Sequence, residues 1–282
     1  MFDQATQLRR LVLRSGRTLG ADDAPPPRTL VISGGKVSLG STTIAVNLAV
    51  ALAAHGSRIV LIDADLYRAD VAAHCGIGES ITIADVLLGR KSIHEALQRG
   101  PAGMQVVAGT RTAEARNACS EKALQRMLRQ IQSLGRHADL VLIDTGNGPS
   151  EPTIRFWQAA GDVLLVTTPD AVAVMDTYAT VKTLLSRSAV RCPLRLVVNR
   201  AEQAEMAADV HRRIDQSCQR FLGISLPLAA WIPEDAAAPS AERKGLPLVL
   251  AQPQSPLTAA IEQLAEQILQ SPAGPRQSRR AA

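Results

Sequence analysis

Apolar and polar positions along the chain fall into two patterns that take turns. Short runs of valine, leucine and isoleucine without internal alternation, at 29–33, 58–63, 104–108, 140–144, 163–167, 194–199 and 227–232, predict strands buried on both faces. Between them, helical spacing marks 42–55, 83–88, 93–98, 120–135, 151–160, 172–186 and 204–222, with a final helix at 257–269. Buried strands alternating with helices predict an α/β fold: a doubly wound, mostly parallel sheet with helices on both faces. Ligands bind such sheets at the carboxyl ends of the strands.

Two terminal segments stand apart from this series. Residues 4–14 place Ala5, Leu8, Leu11 and Val12 at helical spacing with arginines alongside, followed by an acidic, proline-rich tether at 20–27. The expected organisation is an amphipathic segment at 1–18, a linker at 19–28, a domain at 29–270 that includes the last helix, and a basic tail at 271–282.

At 282 residues and 46% hydrophobic, the chain is long enough to bury a sizeable core. A pI near 9.3 points to a polyanion partner until the charges are located. Each end carries three net positive charges against a total of +5, so the body between them is one charge negative. That distribution argues against a nucleic-acid groove. Cys75, Cys119, Cys192 and Cys218 form no paired motif, and the five histidines show no metal spacing, which excludes the usual zinc and iron–sulfur patterns. No secretory signal precedes the body, and no apolar run approaches the ~18 residues that span a bilayer. A soluble, cytoplasmic protein is expected.

The candidate chemistry sits at predicted strand ends. Lys36-Val37-Ser38-Leu39-Gly40-Ser41-Thr42-Thr43 follows the first strand and opens a helix, where backbone N–H groups can wrap phosphates. Asp63-Ala64-Asp65 ends the second strand, and Asp144-Thr145-Gly146-Asn147-Gly148 a central one. Carboxylates so placed can hold magnesium and orient an attacking water. The plainer alternative is that these aspartates cap helices.

Taken together, these stretches resemble the MinD/ParA group of deviant-Walker P-loop ATPases across roughly residues 29–250. Within it, Ile83–Arg90, Ile93–Leu97, Ala171–Leu184 and above all Asp3-Gln4-Ala5-Thr6-Gln7-Leu8-Arg9 are similar to the FlhG (FleN, YlxH) branch of flagellar number regulators. The resemblance implies ATP and Mg2+ as cofactors. It implies Lys36 as the signature lysine that reaches across an ATP-sandwich dimer and Asp65 as the water-orienting aspartate, the two catalytic candidates. Gly40, Ser41, Thr42, Thr43, Asn199, Arg200 and Pro233 would contact nucleotide, and Thr42, Asp63 and Asp144 the metal. Asp3, Gln4, Ala5, Leu8 and Arg9 would bind and stimulate an FlhF-type signal-recognition GTPase, with other flagellar assembly proteins as further partners.

The loop departs from the family pattern KGGxGK[ST]T. Val37 and Ser38 stand at glycine positions and Ser41 at the lysine position. A non-glycine residue resists a left-handed backbone by ~1–2 kcal/mol, and a charge-assisted lysine contact is worth ~1.5–3 kcal/mol. Together these remove about two to five orders of magnitude in affinity. The expectation is a monomeric regulator on an ATPase scaffold with nucleotide binding weakened or lost. The alternative is an active Mg-ATP-dependent switch cycling between cytosolic monomer and membrane-associated dimer. The stripe Leu257, Ile261, Leu264, Ile268 and Leu269 either docks on the body or, with the arginines of 271–282, touches the inner face of the membrane. Glu262 and Glu266 on its polar face favour docking.

Overall fold

The computed structural model describes residues 24–271 except 37, 79 and 188–191; the N-terminal segment, the first half of the tether, the basic tail after Ser271 and Val37 lie outside the described residues. The strands are β1 (Arg28–Gly34), β2 (Ile59–Asp63), β3 (Gln98–Arg99), β4 (Gln105–Val107), β5 (Leu140–Asn147), β6 (Asp162–Thr167), β7 (Leu194–Asn199) and β8 (Leu228–Ile232). The helices are α1 (Ser41–Ala54), α2 (Val71–His74), α3 (Ile83–Leu88), α4 (Ala113–Ala118), α5 (Glu121–Gln132), α6 (Glu151–Ala159), α7 (Ala171–Arg187), α8 (Ala204–Leu222), α9 (Ala238–Arg243), α10 (Leu248–Ala251) and α11 (Pro256–Gln270).

All eight strands join one sheet in the order β3-β4-β2-β5-β1-β6-β7-β8, parallel throughout except for the β3–β4 pair. Successive residues of β1 point to opposite faces, and both faces are covered. Val31 joins Val60, Ile62, Val141 and Ile143 in one core with Val86, Leu124, Trp157, Val181 and Ile214 from the helices. Leu30 and Ile32 join Leu61, Leu142 and Leu164 in the other, against Leu48 and Leu52 of α1 and Ile261 and Leu264 of α11. Burial on both sides explains the unbroken apolar runs.

One expected helix is absent. Residues 93–96 make a single turn, in which Glu95 bonds the Ser92 amide and hydroxyl and the Ala96 amide reaches the Ser92 carbonyl. Gln98 and Arg99 then pair antiparallel with β4 as an edge strand. One turn ahead of Gly100-Pro101 cannot offset helix nucleation, and the sheet edge offers its backbone better partners. Helices α2, α4, α9 and α10 span six residues or fewer, too few to show a period in sequence.

α1 is apolar on nearly every side, because the sheet lies on one flank and α11 on the other. Ser255 caps α11 by accepting the Thr258 amide at 3.1 Å, and Pro256 starts it. Leu257, Ile261, Leu264, Ala265 and Ile268 are buried, and His55–Glu262 (2.7 Å) ties the helix to the end of α1. The docked arrangement, favoured over membrane contact on the sequence, is the one observed: the stripe faces the body, with only Leu269 exposed at its edge.

Candidate functional site

β1 lies between β5 and β6, and its carboxyl end meets those of β2 and β7 in one shallow region. The loop that leaves it keeps left-handed turns: Ser38 has φ +68° and Gly40 φ +82°. Ser38 thus adopts the conformation that its residue type resists. Gly40 also allows a close approach, since a Cβ there would lie 2.5 Å from Asn199 Nδ2. That amide donates to the Leu39 carbonyl at 2.7 Å, so Asn199, 5% exposed at the end of β7, braces the loop. Ser41 is buried at the start of α1.

Three carboxylates converge beside the loop. Asp63 and Asp144 are register partners on β2 and β5, both fully buried. Burial first, and then the neighbouring Asp144 charge, pushes Asp63 well above the usual carboxylate range. Burial pushes Asp144 up to about 6, against hydrogen bonds from Thr42 and the Gly146 amide. Thr42 Oγ1 donates to Asp144 Oδ2 at 2.6 Å, which brings the two expected metal ligands side by side. Asp63 has another task, because its two oxygens accept the amides of Asp65 and Val71, each at 3.1 Å. It shapes the chain after β2. Asp65 Oδ1 accepts the amides of Tyr67 (2.8 Å) and Arg68 (3.0 Å), while its Oδ2 faces Gly146, where a Cβ would come within 2.1 Å.

Other expected contacts are engaged elsewhere. Lys36 Nζ binds Asp170 Oδ1 at 2.8 Å, between β6 and α7. Lys36, Thr168 and the Ala173 amide together hold Asp170 down at about 2. Thr43 Oγ1 donates to Glu242 of α9. Arg200, with φ +56°, bonds the Ser38 carbonyl at 3.1 Å. Pro233 precedes Glu234 and Asp235, which line a cavity of about 660 Å³ with Gln252–Pro256. Asn147 Oδ1 is buried with no partner among the described residues.

Sequence reasoning missed Glu242 and Arg68, whose Nη1 bonds Ser38 Oγ at 3.2 Å. Glu242 sits 199 residues from Thr43, beyond any local pattern. Arg68 sits three residues past Asp65, and no spacing in the sequence ties it to the loop at Ser38. The candidates Asp3, Gln4, Ala5, Leu8 and Arg9 lie outside the described residues.

A magnesium ion prefers six oxygens and keeps several waters. Thr42 and Asp144 fit it as protein ligands, provided that phosphate and water supply the rest, with Asp63 beside Asp144 as its register partner. Bound there, the ion would offset phosphate charge and that of the buried carboxylates. Among the described residues no group of three or more His, Cys, Asp or Glu side chains could hold a metal by itself. The four cysteines are free, with thiols pushed up by burial to about 12 for Cys75 and about 11 for the other three, so none is primed as a thiolate. No helix among the described residues is long and apolar enough to cross a membrane.

Comparison with known proteins agrees with this architecture. The family model described as "ParA: NUBPL iron-transfer P-loop NTPase" matches residues 27–269. The antiactivator FleN of Pseudomonas aeruginosa is 29% identical over 253 residues, covering 89% of this chain and 90% of its own. The flagellum site-determining protein YlxH of Helicobacter pylori is 28% identical over 183 residues, 64% of this chain and 62% of its own. The septum site-determining protein MinD of Pyrococcus horikoshii, solved with Mg-ADP, superposes with a TM-score of 0.71 at 27% identity, covering 86% of this chain and 96% of that one.

Proposed function

The chain belongs to the ParA family of P-loop NTPases, and from that premise we propose that it is an FlhG-like regulator of flagellar number or placement. In this reading the ATPase scaffold presents residues 1–18 to an FlhF-type GTPase and stimulates it, while the scaffold's own ATP binding is weak. One observation carries the reading of weak binding: groups suited to meet a nucleotide already hold protein partners. Lys36 is on Asp170, Thr43 on Glu242 and Asn199 on the Leu39 carbonyl. A nucleotide must break these contacts, and Ser41 offers no lysine in return. The similarity to FleN and YlxH supports the flagellar setting.

Calorimetry with ATP, ADP and magnesium tests the first half; micromolar magnesium-dependent ATP binding overturns it. The second half rests on the sequence of the N-terminal segment. A segment too short to be a stable helix alone orders on docking, burying Ala5, Leu8 and Val12, while Gln4 and Arg9 offer donors to water or phosphate. A synthetic 1–18 peptide is expected to speed GTP hydrolysis by an FlhF-type GTPase, and Gln4→Ala or Arg9→Ala to abolish the effect. Equal rates with and without the peptide would defeat this reading.

A second reading, the Mg-ATP-dependent switch, draws on the left-handed turns retained at Ser38 and Gly40 and on the Thr42–Asp144 pair. An ATP-induced dimer that associates with membrane would establish it.

A further inference from the structure

Ser41 leaves the loop without its usual cation, yet two guanidinium groups stand over it. Arg68 reaches in from the segment between β2 and α2 to Ser38 Oγ, and Arg200 from the end of β7 to the Ser38 carbonyl. Arg200 Nη2 lies 3.9 Å from the point where a Cβ on Gly40 would project. Among the described residues neither arginine has a carboxylate partner, whereas Arg58, Arg90, Arg111, Arg155, Arg187 and Arg195 all do. Each of the two is thus anchored to a neutral oxygen, with N–H donors left for a stronger acceptor. Acids on neighbouring segments hold other partners: Asp70 pairs with Arg111, Glu242 accepts from Thr43, and Asp65 Oδ1 takes the Tyr67 and Arg68 amides.

The backbone beneath them also wants an anion. α1 follows Gly40 at its N-cap, with no side-chain cap and no acid in its first turn, so its leading N–H groups have no side chain to receive them. Arg200 holds a left-handed φ, a conformation that persists only where surrounding structure enforces it.

We propose that Arg68 and Arg200 are the phosphate-binding cations of this loop, replacing the absent lysine and gripping a polyphosphate chain from above the first turn of α1. The proposal rests on the reading that the loop retains weak nucleotide binding. A guanidinium is permanently charged and matches phosphate oxygens with a planar fork, so two of them can hold a polyphosphate without a metal. Their approach from two separate strand ends distinguishes this grip from one lysine rising out of the helix itself.

The test titrates inorganic tripolyphosphate, without magnesium, into the full-length protein by calorimetry. Arg68→Ala and Arg200→Ala are each expected to weaken binding about tenfold, and the pair about a hundredfold, the size of one and two charge-assisted contacts. Arg212→Ala, far along α8, is the control for general surface charge and is expected to change nothing. In a Ser41→Lys background the loss of Arg68 should matter about threefold or less, because the new ammonium supplies the same charge; a merely structural Arg68 would show no such coupling. Circular dichroism checks folding, and Arg68→Gln with Arg200→Gln replaces any alanine variant that fails it. Unchanged affinity in the folded double variant overturns the proposal, and so does absence of binding by the wild type at about 10 mM tripolyphosphate, weaker than any useful site. The latter result leaves weak ATP binding standing, whereas micromolar Mg-ATP binding would defeat that reading and leave the arginines to be judged by their own variants.

Discussion

Single residues decide how much nucleotide chemistry this scaffold retains. Ser38 occupies a left-handed turn that suits glycine, and Ser41 replaces a cation with a buried hydroxyl. The triple variant Val37→Gly, Ser38→Gly, Ser41→Lys is expected to raise Mg-ATP affinity by at least about tenfold, read by calorimetry. No gain would mean that Glu242 on Thr43 and Asp170 on Lys36 close the site by themselves. Asp144 lends itself to a test by pH. Its folded value, raised to about 6 by burial, exceeds that of an unfolded carboxylate, so the native state binds the proton more tightly. Its contribution is therefore full below the unfolded value and is lost as pH rises through about 6. Asp144→Asn keeps the shape without the charge. It should raise Tm by a few degrees at about pH 7.5, and the gain should fade toward about pH 4.5. A gain independent of pH would count against the buried-charge account. The motif residues were legible in sequence because each is a local departure from a spaced pattern. Their partners were not: Glu242 in α9, Asp170 ahead of α7 and Arg68 after β2 come from distant segments whose convergence no spacing encodes.

Whole elements show the same division. The long strands were readable because burial on both faces leaves valine and isoleucine uninterrupted. Residues 93–98 were misread because one helical turn and a turn leading into an edge strand share an apolar spacing at that length. For α11 the stripe was plain and its destination was not, since an apolar face suits a membrane as well as a neighbour. Leu264, fully buried between α11 and α1, is the measure of that docking. Leu264→Ala should destabilise the protein by about 2–5 kcal/mol in denaturant unfolding, the usual range for a buried leucine. A loss below about 0.5 kcal/mol, typical of surface changes, would mean that the helix is not held on the body in solution.

For the molecule as a whole, the charge distribution and the site point the same way. The body is near neutral and its basicity lies at the two ends, outside the described residues. Lys36, the residue a sandwich dimer would need to extend toward a second copy, is held instead by Asp170 within its own chain. The protein is accordingly expected to remain monomeric with or without Mg-ATP. Light scattering that shows an ATP-induced dimer would favour the active switch, and a dimer independent of nucleotide would overturn the monomer alone.

Sequence alone settled the class of fold and the ends of the strands where chemistry gathers, because hydrophobic periodicity and short phosphate-loop spacing are local properties of a chain. It also showed Ser41 at the position where the family pattern carries lysine, which is visible without coordinates. Folding in three dimensions settled which groups are free. Thr43 meets a carboxylate 199 residues away, Asn199 spends its amide on the loop, and Arg68 and Arg200 both reach Ser38. Those pairings follow from strand order, β1 lying between β5 and β6 with β7 beyond, and strand order is a property of the packed sheet that no single segment carries.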